Sequence, residues 1–353
     1  MSQQENIRVG ISIGDLNGIG SEIILKTFED KRMLEFCTPV IFCSVKVMSY
    51  FIKHYGLTIK VQGIDSPDKI IDKKINVLNV WKEPVDIHFG VEEKQAGAYA
   101  IKSLEAAVSA LKKNQIDVLV TAPINKSNIQ SKTFSFPGHT DYLNQELEGD
   151  SLMLMISETL RIGLLTDHVA VKDVSSHITR ELIEKKINTI NKTLIQDFGI
   201  EKPKIAVLGL NPHNGDNGVI GNEDDTVLRP TLDNLRNNGK LVFGPYAADS
   251  FFGSGNYKNF DVVIASYHDQ GLIPFKTLAF GNGVNYTAGL SHVRTSPDHG
   301  TAYDVAGKGV ANYESFRQAI YSAIKIFRKR KEYQEISKNP LEIKPKRSFS
   351  KKK

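Results

Sequence analysis

The chain is poor in cysteine, tryptophan and methionine, with two, one and five among 353 residues. Two cysteines cannot staple a chain of this length. With 41% apolar residues it has ample material for a core and needs no disulfide scaffold. Cys37 and Cys43 bracket the run "TPVIF", which reads as a buried strand, and their spacing fits neither CxxC nor a zinc knuckle. So few cysteines fit a reducing compartment. Long apolar runs are missing too: none approaches the ~18 residues that a membrane span requires. The opening "MSQQENIRVG" lacks the basic-then-apolar layout of a signal peptide. A cytoplasmic protein without membrane contact is expected. Nor is there a broad basic face. Residues 344–353, "KPKRSFSKKK", hold six Lys or Arg, so the net charge of +5 becomes −1 without them. Residues 341–353 read as a solvated tail, and no aromatic or glycine interleaving suggests a nucleic-acid partner.

What is present alternates. Strand-like runs at 8–14, 39–45, 74–80, 116–123, 204–213 and 260–271 are separated by helical periodicity, most clearly at 94–114, 178–199 and 313–333. Residues 151–168 read as two short strands. This order predicts an α/β protein with a parallel sheet covered on both faces. The length favours two lobes. The first comprises residues 1–128 and 290–340 and is discontinuous; the second comprises 129–289.

Histidines recur beside loop-forming residues, in "FPGHTDYL", "GLNPHNGDNG", "YHDQG" and "PDHGTAYD". His168, His213 and His268 each fall just after a predicted strand. In open α/β sheets ligands bind beyond the carboxyl ends of strands. Three imidazoles so placed can converge on one divalent metal and leave coordination positions for substrate oxygens. The turn Gly14-Asp15-Leu16-Asn17-Gly18-Ile19-Gly20 follows the first strand but is not the dinucleotide fingerprint, and by spacing alone its glycines only permit a tight turn. Lys126 follows a strand, where it could meet an anion, although a solvated lysine is the ordinary outcome.

In order along the chain, "GD..GIG.E", "TAPINK", "GHTDYL", "GLNPHNGD.G..G.E", "GPYAADSFF", "YHDQGLIPFK" and "GVN.T.GL..VRTS.DHGTA.D.AGKG" resemble the 4-hydroxythreonine-4-phosphate dehydrogenases of pyridoxal phosphate biosynthesis. The resemblance implies a metal (zinc, magnesium or cobalt) on His168, His213 and His268. It implies substrate contacts from His139, Thr140, Lys276, Asn285 and Arg294, and a homodimer with its active site at the subunit interface. The stretch 299–312 looks like the adenosine-side loop of the isocitrate and isopropylmalate dehydrogenases. That likeness implies their two-lobed fold with a central cleft, and NAD along His299, Gly300, Thr301, Ala302, Asp304 and Asn312. The chemistry of the residues agrees. Arg294 can clamp a phosphate or carboxylate bidentately and Lys276 can act as a point charge, while Asn285 and Thr140 supply neutral hydrogen bonds.

The activity so implied is NAD-dependent oxidative decarboxylation of 4-phosphooxy-L-threonine, a phosphorylated hydroxy-amino acid, with Asp249 and Asp269 as candidate general bases. A D-threonate or D-erythronate 4-phosphate dehydrogenase is the alternative within the class. A non-catalytic phosphate-ligand-binding protein is the alternative outside it. Leu16 and Ser21 stand where the family usually has prolines. "GLSHVRTS" replaces "GLPFIRTS", putting His292 just before Arg294, where it could adjust substrate preference.

Overall fold

The computed structural model describes residues 6–131 and 134–340; the basic tail lies outside them. Among the described residues, twelve strands form one sheet. They are β1 Ile7–Ser12, β2 Cys37–Cys43, β3 Val61–Ile64, β4 Ile75–Asn79, β5 Val118–Thr121, β6 Gly149–Ile156, β7 Arg161–Leu164, β8 Ile205–Leu208, β9 Val242–Tyr246, β10 Val262–Ala265, β11 Val284–Leu290 and β12 Val293–Pro297. Their order across the sheet is β3-β4-β2-β1-β5-β12-β11-β6-β7-β10-β8-β9. The predicted α/β architecture is the observed one, and no helix among the described residues is long and apolar enough to cross a membrane.

Two groups of strands are parallel within themselves. β1 pairs parallel with β2 and β5, and β5 with β12. Likewise β10 pairs parallel with β7 and β8, and β8 with β9. Between the groups, β11 is antiparallel to both β12 and β6, and β6 is antiparallel to β7. These three reversals make the two groups run in opposite senses. The β11–β12 pair was hidden in the sequence because "GVNYTAGLSHVRTS" has neither clean alternation nor a continuous apolar run.

Helices cover the sheet where periodicity predicted them. Lys94–Lys112 buries Ala96, Tyr99, Ala100, Leu104, Ala107, Val108 and Leu111, a stripe at the three- and four-residue spacing of one helical face. Arg180–Phe198 begins on Thr179, whose side chain accepts the Leu182 N–H, and ends at the left-handed Gly199. Glu314–Ile336 packs on β12 and on the 180–198 helix. The helix His268–Leu278 contains Pro274, which obscured it in the sequence.

Candidate active site

A cavity of about 310 Å³ opens where the ends of β5 and β12 meet the segment after β7 and the 268–278 helix. Its walls include His139, Thr140, Lys276, Asn285 and Arg294, together with His168, His268, His299 and Gly300. Thr121, Lys126, Asp141, Ser296 and Asp298 also line it. Of these, Lys126 was read only as a lysine that could meet an anion, and Thr121 was visible only as part of "TAPINK". The ends of β5 and β12 and the segments that follow β7 and β10 thus enclose one space.

Arg294 is the most deeply buried charge in this wall. It is the second residue of β12 and is 2% exposed. Its Nε and Nη2 donate to Thr121 Oγ1 at 3.1 and 2.6 Å, and Nη1 donates to Thr287 Oγ1 at 3.0 Å. No carboxylate accompanies it among the described residues, and burial pushes its pKa down to about 9. Burying an ion without a counter-ion is costly. The guanidinium still has donors free for an anionic ligand.

Other polar atoms here are also left open. His139 Nε2, Asn285 Oδ1 and His299 Nε2 are buried and lack a hydrogen-bond partner among the described residues. Native proteins seldom leave such atoms unsatisfied, so they mark places where a ligand is expected. Burial, with Arg294 and Lys126 nearby, drives the His139 pKa well below 6.5, so its ring is neutral. Burial also lowers the His299 pKa and raises that of Asp298, the latter opposed by Lys276 at 3.3 Å.

The three strand-end histidines follow β7, β8 and β10, which are neighbours in the sheet. The structure brings two of them together: the His168 and His268 rings lie 6.2 Å apart, centroid to centroid. His268 Nδ1 is 2.7 Å from Asp269 Oδ1, which leaves Nε2 as the nitrogen with a lone pair to offer. His168 Nε2 already faces a cation, Lys126 Nζ, at 3.4 Å. This pair has the chemistry of metal ligands. His213 does not line the cavity, and no group of three His, Cys, Asp or Glu able to hold a metal is found among the described residues. Its loop is turned by a left-handed run that includes His213, Asn214, Gly215, Asp216 and Asn217, and Asp224 anchors it by accepting the Leu210 and Asn211 N–H groups.

The remaining expected residues lie elsewhere. Asp249 is exposed in the helix Ala248–Gly253 after the edge strand β9 and does not line the cavity. Asp269 does not line it either, and touches His268 rather than the open space. In the expected cofactor loop, His299 and Gly300 line the cavity, whereas Thr301, Ala302, Asp304 and Asn312 do not.

The sequence model of the family described as "Pyridoxal phosphate biosynthetic protein PdxA" matches residues 35–323. The chain belongs to this family. It is 47% identical over 341 residues to the 4-hydroxythreonine-4-phosphate dehydrogenase of Bacteroides thetaiotaomicron, covering 96% of this chain and 94% of that one. It is 35% identical over 317 residues to the D-threonate 4-phosphate dehydrogenase of Cupriavidus necator, covering 88% and 95%. The crystal structure of a 4-hydroxythreonine-4-phosphate dehydrogenase from Klebsiella pneumoniae superposes with a TM-score of 0.79 at 31% identity, covering 93% of this chain and 99% of that one. As a PdxA family member the chain is an oxidoreductase of pyridoxine biosynthesis.

Its departures from the usual family pattern lie away from the cavity. Leu16 is buried in the main core, and Ser21 is buried in the first turn of the helix Gly20–Glu29. His292 precedes β12 and lines a separate hollow with Asn114, Phe327 and Arg330. An influence of His292 on substrate preference by direct contact is therefore not supported.

Proposed function

We propose that this chain oxidises 4-phosphooxy-L-threonine at its C3 hydroxyl with NAD, and that carbon dioxide is then lost to give 3-amino-2-oxopropyl phosphate. The observation that carries this reading is Arg294, a guanidinium buried without a carboxylate beside open polar atoms. With Lys126 and Lys276 it makes a cationic cavity suited to a substrate with a phosphate and a carboxylate. Neutral His139 donates or accepts a hydrogen bond without adding charge. Asn285 and Thr140 orient the polar middle of the substrate.

His168 and His268 would hold a divalent cation, with His213 of the partner subunit completing the set. This reading fits a His213 loop that does not reach its own cavity, and it makes a homodimer the working unit. When bound, the cation supplies Lewis-acid chemistry at the substrate hydroxyl. The stretch 299–312 would hold NAD, which when bound would supply the hydride acceptor. The hydroxyl proton must leave in the same step. Of the two candidate bases, Asp269 orients His268, and Asp249 lies outside the cavity of its own chain.

The second reading, D-threonate 4-phosphate oxidation, has support from the Cupriavidus relative. The two substrates differ at C2, amine against hydroxyl. The deciding measurement is NADH formation by the purified dimer with each compound, with and without a divalent metal. Turnover of the hydroxy acid alone would replace the first reading. No turnover of either, with tight phosphate-ligand binding, would leave a binding protein.

A further inference from the structure

The glycine-rich turn after β1 makes no contact with the cavity, yet it carries one of the most enclosed carboxylates in the chain. Asp15 is 1% exposed. Its Oδ1 accepts the Asn17 N–H at 2.9 Å. Its Oδ2 accepts Asn128 Nδ2 at 2.6 Å and the Tyr303 hydroxyl at 2.9 Å. The backbone beside it is seated as tightly. Asp15 N donates to Pro123 O at 2.9 Å, and Ile19 N donates to Thr301 O at 3.0 Å. A Cβ on Gly14 would lie 2.4 Å from Pro123 O, and one on Gly18 would lie 3.0 Å from Thr301 O. The turn is therefore wedged between two segments that both reach the cavity. One runs through Lys126 to Asn128; the other runs from His299 to Tyr303. Further along, the loop is fixed by the helix Gly20–Glu29, where Lys26 Nζ donates to Gly309 O at 2.8 Å and Glu22 Oε1 accepts the Ala311 N–H at 2.7 Å.

We infer that Asp15 is a positioning residue. By holding Asn128 and Tyr303 on one carboxylate oxygen, it sets the separation between the substrate-side segment and the cofactor loop. The inference rests on the assignment of NAD to 299–312. It gives the turn a role that glycine spacing alone did not suggest. Its importance follows from the chemistry: hydride transfer requires the two reactants at near-contact distance, and small misplacements far from the reacting atoms slow it steeply. A carboxylate suits the junction because it accepts all three hydrogen bonds at once. In Asp15→Asn the shape is kept, but the amide NH2 must face either the Asn17 N–H or the donors of Asn128 and Tyr303.

The test is a double-mutant cycle on the metal-loaded protein. Tyr303→Phe, which removes one hydroxyl, should raise the KM for NAD about tenfold while the substrate KM moves less than about twofold. Asp15→Asn should lower kcat/KM for both ligands. Asp15→Ala removes the acceptor outright, so in the double variant Asp15→Ala/Tyr303→Phe the Tyr303→Phe effect should vanish. Full additivity, or an unchanged KM for NAD in Tyr303→Phe, would overturn the inference. Calorimetric NAD binding without substrate separates the two readings. A wild-type chain that binds NAD more tightly than Tyr303→Phe supports the clamp even if turnover is absent. Equal binding by both refutes the clamp and leaves the activity standing. No binding by the wild type removes both.

Discussion

Arg294 and Arg330 are both buried, and the difference between them separates a site from a scaffold. Each guanidinium N–H of Arg330 has an acceptor within the chain. Its Nε and Nη2 bond Asp197 at 2.7 and 2.9 Å, Nη2 also reaches the Tyr286 hydroxyl at 2.9 Å, and Nη1 donates to Leu290 O and Ser291 O. Burial disfavours its charge, but Tyr286 and Asp197 more than restore it, so its pKa is raised. Tyr286 is pushed well above its ordinary value, by burial first and then by Asp197, and it remains a donor. Among the described residues Arg294 has only the hydroxyls of Thr121 and Thr287. A buried cation with all its partners joins the helix 314–336 to β11 and to the helix 180–198. A buried cation without a carboxylate among the described residues keeps N–H donors free.

The largest effect should come from breaking the scaffold. Arg330→Met leaves Asp197 buried with the Tyr286 hydroxyl alone, and removing one partner of such a pair typically costs about 3–5 kcal/mol. Denaturant unfolding should show that loss, with turnover per folded molecule preserved. A near-neutral result would mean the network is solvated in solution.

Next comes the site. Arg294→Lys keeps the charge but loses the planar fork, and should lower kcat/KM for the phosphorylated substrate by about ten- to hundredfold, the equivalent of ~1.5–3 kcal/mol. Arg294→Met should abolish turnover yet leave the fold as stable or more so, by ~0–3 kcal/mol, because an uncompensated buried charge is gone. Inorganic phosphate should raise the melting temperature of the wild type more than that of Arg294→Met. If Arg294→Met unfolds as readily as Arg330→Met, the contrast between the two arginines fails.

Smaller again is Tyr286→Phe, which removes the hydroxyl shared by Asp197 and Arg330. A loss of about 1–2 kcal/mol in unfolding free energy is expected, with unchanged substrate kinetics.

His139 gives a pH test. Its pKa is lowered in the folded state, so below its ordinary value of 6.5 the unfolded chain binds the proton that the folded chain refuses. Stability should therefore fall as pH drops through 6.5. That part of the slope should disappear in His139→Gln, as seen in denaturation midpoints between pH 7 and pH 5. The smallest expected effect is truncation after Ile343: neither turnover nor dimerisation should change, and a clear loss of either would give the basic tail a structural role.

Much of this was already in the sequence, because local rules govern it. Strand and helix alternate with the periods that a sheet covered by helices requires, and the ends of the 180–198 helix are written in Thr179 and Gly199. The histidines after β7, β8 and β10 could be placed at strand ends because a strand ends where its apolar run meets loop-forming residues. The motif series also named Lys276, Asn285 and Arg294 as residues of one site. Three things could not be read this way. Arg294 reaches Thr121 from 173 positions away, and its lack of a carboxylate is a fact about distant neighbours that no window of sequence contains. Asp15 meets Tyr303 across 288 positions, so a turn that spacing explained by tight bending proved to be a junction. The opposed senses of the two strand groups depend on β6 and β11, whose pairing is a property of the assembled sheet. Periodicity and turn chemistry are local, and they fixed the elements. Burial of charge and satisfaction of polar atoms depend on what the rest of the chain brings alongside, and only the tertiary structure decided those.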